Sequence, residues 1–319
     1  MGMGTPPLAG LPPGLRAQLA HLAPGPLAHL APGPLEPLQL LIPACLAVLY
    51  AVRVRALARQ GRSAPAWRQW CFYGGLVLIV GTLLSPVGHI SDELLLAHMA
   101  EHLLIADLGA LLLVLGLTGP ILAPALRVRA LDRLRVLTHP AVALPLWTVD
   151  LYVWHLPVLY QAALRHPGIH ALEHALFIAC GVNMWMPLFG PLPKPAWFGN
   201  LARLGYIIGV RLIGAVLGNV FVWAGGVFYP FYRAGEAFWH VSAAGDQVTA
   251  GAIMMVEGSI VTICLFGWLF LRSAREGEER QELLDLATAH GVPLTEARAA
   301  RAVAAGAGSE LRRRIETAP

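Results

Sequence analysis

Charge is scarce in this chain. Asp, Glu, Lys and Arg make up 13% of its 319 residues, while hydrophobic residues make up 56%; a soluble domain carries roughly 25% charged residues. A water-exposed surface cannot be built from so few charges, which excludes a soluble enzyme and a disordered protein alike. The mean hydropathy of +0.60 points to a polytopic membrane protein. Cysteine is scarce as well. Cys45, Cys71, Cys180 and Cys264 all lie in apolar runs, with no CxxC or CxC pair, so neither a disulfide framework nor a thiolate metal site is expected. There is no Gly-rich phosphate loop, nucleophile-elbow serine or Walker motif. With a net charge of only +4 and no basic face, no nucleic-acid partner is expected.

The apolar residues fall into seven runs, each near the ~20 residues that cross hydrocarbon: 37–56, 70–87, 93–118, 141–162, 169–190, 202–227 and 247–271. The expected fold is all-α, a seven-transmembrane helix bundle. Residues 1–35 hold a Pro/Gly-rich repeat, HLAPGPL at His21 and again at His29, and read as a flexible tail. No basic region precedes an apolar stretch there, so a signal peptide is not expected. Residues 36–271 form the membrane domain. Residues 272–319 are a charged tail, expected to be a short solvated helix followed by disorder.

Arginine sets the orientation. Arg53, Arg55, Arg59, Arg62 and Arg68 crowd the first connection and Arg127, Arg129, Arg133 and Arg135 the third; Lys194 and Arg203 lie in the fifth, and Arg272 and Arg275 open the tail. The even connections are poor in them. The odd connections and the C-terminus are therefore cytoplasmic and the N-terminus outside.

Histidine is the unusual abundance, with twelve in the chain. On this topology His89, His98, His102, His155, His170 and His174 all fall in the outer leaflet, contributed by three helices and one loop. Two helices that enter the membrane carry the same pattern, His98-Met-Ala-Glu-His102 and His170-Ala-Leu-Glu-His174. Residues i and i+4 share a helix face, so each pair can aim two imidazoles at one point. Ionisable side chains are costly in hydrocarbon and mark functional sites there. Neutral imidazole suits copper, zinc, iron and nickel, and Glu101 and Glu173 stand where they can orient a ligand or bind metal themselves. His139, His166 and His290 read as peripheral; His240 could cap the site.

Other residues join these as candidates. Met254 and Met255 lie level with His102 and His155, and thioether favours Cu(I). Asp246 suits the N-cap of the last helix and a place beside the site. Arg211 is a fixed charge in the sixth helix and needs a partner. Asp150, at a matching depth, is the first choice and Asp107 the second.

At these residues the sequence resembles the CtaG family, the assembly factors of caa(3)-type cytochrome c oxidase. The resemblance is carried by Leu84-Ser-Pro through His102, by Tyr152-Val-Trp-His-Leu-Pro157, by His170 to His174 with Trp185 and Pro187, and by Asp246-Gln247 with Gly251 and Met254. It covers about residues 40–270. Glu101 stands where family members often have Gln, and Leu108-Gly109 where they have Pro-Pro. The resemblance implies a seven-helix protein of a bacterial-type plasma membrane with a role in oxidase assembly, a haem-copper oxidase subunit or another copper protein as partner, and copper, one or two ions, as either cargo or a working centre; the ligand set also suits zinc and iron. A second reading divides the six histidines three and three into a dicopper oxidase centre. HxxEH is also the inverted zinc-protease motif, but one protease site needs only one copy.

Overall fold

The structure is a computed structural model that describes residues 36–85, 88 and 90–317. The N-terminal repeat with His21 and His29 lies outside the described residues, and so does His89. Among the described residues all regular structure is helical. In chain order the elements are α1 (Glu36–Ala58), α2 (Ala66–Leu83), α3 (Leu95–Gly116), α4 (Gly119–Leu126), α5 (Pro140–Trp154), α6 (Pro157–Arg165), α7 (Pro167–Phe189), α8 (Asn200–Trp223) and α9 (Ala243–Ala289), then α10 (Glu296–Ala304) and α11 (Gly308–Glu316).

Five of these helices, α1, α3, α7, α8 and α9, are long and apolar enough to cross a membrane. The short helical stretch 131–138 and α5 make a sixth if the pair, bent by 83°, counts as one span. The other two expected spans come out differently for local reasons. Helix α2 has 18 residues and opens on Trp67-Arg68-Gln69-Trp70, which shortens its apolar stretch. The run 141–162 is broken, because Pro157 cannot continue the preceding helix and holds Leu156 extended (φ −64°, ψ 129°). Large apolar side chains stay exposed along the outer faces, among them Leu41, Val48 and Val52 on α1, Leu212 on α8, and Ile263 and Phe270 on α9. Such a belt would be untenable in water and is the lipid-contacting surface.

Two close approaches set how the helices pack. A Cβ at Gly181 on α7 would collide with the carbonyl oxygen of Ala106 on α3, so only glycine lets these two backbones meet. Gly218 on α8 and Gly251 on α9 face each other's carbonyl oxygens in the same way. One end of the bundle carries the starts of α3, α7 and α9 and the end of α5. The other end carries Arg53 and Arg68. There Arg68 donates to the carbonyls of Leu115 and Leu117, both at 2.9 Å, and Arg53 to that of Pro120 at 2.8 and 3.1 Å. Arg68 satisfies carbonyls left free at the end of α3, and Arg53 one inside α4 that Pro124, which has no N–H, cannot serve.

The tail corrects the expectation of disorder. Helix α9 runs on to Ala289, and α10 and α11 fold back onto it around Leu283, Ala287, Val303 and Ile315, all buried. The reason is an amphipathic pattern in a charge-rich segment: the apolar positions of three short helical stretches share one face.

Candidate metal centre

Helices α3 and α7 meet at Ala106 and Gly181, one to two turns below their histidines. That contact presses the two HxxEH faces together. His98, His102, His174 and His170 form a rectangle of imidazoles with ring centres 4.3 Å (98–102), 5.4 Å (102–174), 4.3 Å (174–170) and 5.5 Å (170–98) apart. The glutamates close the box. Ligand atoms of His98, His102, His170 and Glu173 lie within 4.8 Å of one another, as do those of Glu101, His170 and His174. His98 is fully buried, and Glu101 and Glu173 are 2% and 1% exposed.

Both ring nitrogens of His98, His102 and His174 lack a hydrogen-bond partner, as do Nε2 of His155 and His170, Oε2 of Glu101 and both carboxylate oxygens of Glu173. Buried polar atoms are nearly always paired. A concentration of unpaired imidazole and carboxylate atoms in one volume fits the donor set of a metal ion.

His155 stands apart from the rectangle. It caps the end of α5 where the helix breaks before Pro157. Its Nδ1 donates to the Leu151 carbonyl at 2.7 Å, which fixes the proton there and leaves Nε2 free. The Tyr229 hydroxyl donates to the His155 carbonyl at 2.7 Å. His102, His155 and Met254 share a cavity of about 60 Å³ directly below the box. Met255 is elsewhere; its Sδ accepts from Asn219 Nδ2 at 3.2 Å.

Asp246 is a cap, but not of its own helix. Its carboxylate accepts from the backbone N–H groups of Leu95 (2.7 Å) and Leu96 (2.9 Å), the start of α3, while Ser242 caps α9. Asp246 thus holds the His98 helix rather than a metal. Gln247 does similar work on the loop after α8, accepting from Phe228 N and donating to the carbonyls of Phe221 and Gly226.

The expected Arg211–Asp150 pair is corrected. Arg211 instead binds Asp107 at 2.5 and 3.3 Å, with Glu257 at 3.7 Å, and Asp150 Oδ2 is buried without a hydrogen-bond partner. Matching depth said nothing about rotation. Residues Leu103–Gly109 form a π-helical stretch beginning right after His102. In an α-helix position i+5 is turned well away from i; the wider π turn brings it back beneath i. Asp107 therefore comes under His102, on the side that faces α8, and lines the same small cavity.

Sequence reading missed the tyrosines. Tyr160, Tyr229 and Tyr232 are each 1% exposed and wall the box: Tyr160 stacks on Tyr229 at 3.9 Å and shares a 2.8 Å hydrogen bond with the Tyr232 hydroxyl, and its ring lies 5.1 Å from His98. The dense aromatic run Phe228-Tyr-Pro-Phe-Tyr232 was the available signal. The peripheral histidines are exposed or structural: His139 Nδ1 accepts from Ala141 N at the start of α5, His290 ends α9, and His166 and His240 are exposed.

The fold and the box together define a class, a polytopic helical membrane protein with a histidine–glutamate cluster buried at one end. The chain belongs to the family described as cytochrome c oxidase caa3 assembly factor (Caa3_CtaG), which it matches over residues 48–276. That range contains every described candidate ligand. No curated protein and no solved structure matches it.

Proposed function

We propose that this protein holds copper in the four-histidine box during maturation of a haem-copper oxidase, with an oxidase subunit or other copper protein as recipient. The observation that carries the reading is the set of buried ring nitrogens on His98, His102, His170 and His174 with no partner in the protein. Membership of an oxidase assembly family supports the destination. Imidazole selects among copper, zinc and iron only weakly; copper is the choice consistent with an oxidase that contains it. Glu101 and Glu173 orient or complete the ligand set, and Met254 is a soft donor that lines the small cavity with His102.

In the bilayer we assign seven passes, counting α2 and the broken α5–α6 as spans. The arginine-rich end faces the cytoplasm of a bacterial-type plasma membrane and the box faces outward. Elemental analysis of purified protein, wild type beside His98→Ala and His174→Ala, tests the assignment. Metal is expected in the wild type and lost from both variants; unchanged content in the variants refutes it.

One observation favours a second reading. The two groups of ligand atoms share His170, an arrangement suited to two adjacent ions, as in a dicopper oxidase. Two ions per chain together with O₂ consumption would establish it; a single exchangeable ion without turnover supports the carrier.

A further inference from the structure

A second cavity, of about 580 Å³, opens on the side of the bundle between α5, α8 and α9. It adjoins the small cavity under the box, and Leu103, Asp107, Trp147, Leu151 and Met254 line both. Its size is that of a small-molecule site. Its rim is lipid-facing, with Leu212 and Ile263 exposed. Its walls are apolar apart from one place. The hydroxyls of Ser259 and Thr262 already donate to carbonyls of their own helix, Met255 at 2.7 Å and Gly258 at 2.6 Å, so the demand for polar contact rests with Arg211, Asp107 and Glu257. These side chains keep 12%, 13% and 14% of their surface exposed. Glu257 Oε1 and Arg211 Nε have no partner.

An acyl chain alone would leave that polar floor in contact with hydrocarbon, and water alone would wet the apolar walls; both are unfavourable. One arginine faces two carboxylates, so the floor has no net positive charge to hold an anionic head and has acceptor capacity to spare for a hydrogen-bond donor. Depth narrows the choice. Arg211 is eleven residues from Asn200 and twelve from Trp223, about 17 Å from either end of α8 at 1.5 Å per residue. A phospholipid head stays at the interface and cannot reach this floor, whereas a small neutral head can.

We propose that the side cavity binds an apolar-tailed amphiphile with a neutral hydroxyl head, entering from the bilayer and donating its O–H to the carboxylates of the Arg211–Asp107–Glu257 cluster. A long-chain or isoprenoid alcohol and a hydroquinone share this chemistry. The site is independent of the metal reading and stands or falls without it.

The test begins with full-length protein extracted from its membranes in mild detergent, with solvent-extracted lipid quantified by mass spectrometry. A neutral hydroxyl amphiphile should be enriched over the bulk lipid extract, its mass and ultraviolet absorbance separating quinol from alcohol. Ala215→Trp places an indole in the cavity and should lower its content about tenfold; Gly214→Leu serves if that variant does not fold. Added radiolabelled hexadecanol should be retained by delipidated wild type and not by the filled variant, while hexadecanoate is retained by neither. Absence of an enriched hydroxyl amphiphile, equal retention in the filled variant, or preference for hexadecanoate each overturns the proposal. Metal content, measured in parallel, is expected to be the same in Ala215→Trp and wild type, so a failed metal assignment shows separately.

Discussion

Arg211 offers the sharpest test of how the helices are rotated. Its side chain is 12% exposed and that of Asp107 13%, so solvent screens the pair little. Removing one member of such a pair costs about 3–5 kcal/mol, mostly from stranding the other charge. Two features of this site reduce that figure. After Asp107→Leu, Arg211 still has Glu257 at 3.7 Å, and after Arg211→Leu the two remaining carboxylates can hold one proton between them. We expect each single change to cost about 2–3 kcal/mol. The double change Arg211→Leu/Asp107→Leu should cost about 1–2 kcal/mol less than the sum of the singles, the signature of direct contact. Arg211→Leu/Asp150→Leu should be additive, because the ion pairs of Arg211 are with Asp107 and Glu257 and not with Asp150. The assay is reversible unfolding in mixed micelles followed by circular dichroism. Additive effects for Asp107, or coupling for Asp150 of equal size, would refute the assigned geometry.

Other expectations follow from single contacts. Gly181→Leu should push α3 and α7 apart, costing about 1–3 kcal/mol and lowering bound metal, whereas the same change at Gly258, where nothing lies within 4 Å of an added Cβ, should leave metal content unchanged. Asp246→Ala strips the cap from α3 and should cost about 1–2 kcal/mol, with Asp246→Asn recovering part of it in the same unfolding assay. Ile315→Ala should expose the tail to trypsin at Arg298 and Arg301 while bound metal stays constant. Lys194, in the loop between α7 and α8, has its pKa pulled down from 10.5 to about 8, first by burial and then by Arg203 and Arg272. Its charged form is thus penalised in the folded state. The penalty is complete below about pH 8 and disappears as pH rises to the unfolded value, so Lys194→Met, which also gives up the 2.9 Å bond from Nζ to the Leu188 carbonyl, should compare more favourably with wild type at pH 7 than near pH 10.5, as read from melting temperature against pH.

The sequence by itself determined that this is a helical membrane protein, because too little charge leaves no other solvent for its surface. It also singled out both HxxEH pairs, since spacing of four on a helix puts two rings on one face whatever surrounds them. His98, His102, His170 and His174 are legible for that local reason, and Glu101 and Glu173 with them. What spacing could not supply is how each helix is turned about its axis. That angle is decided by packing: Gly181 against the Ala106 carbonyl, and the π turn that swings Asp107 beneath His102. Hence Asp150 seemed a fit partner for Arg211 by depth alone, and Asp246 seemed to cap its own helix rather than α3. Only the tertiary structure brought Tyr160, Tyr229 and Tyr232 around the box from two distant stretches of chain, and only it carved the side cavity, because contacts between segments far apart in sequence leave no periodic trace in either one.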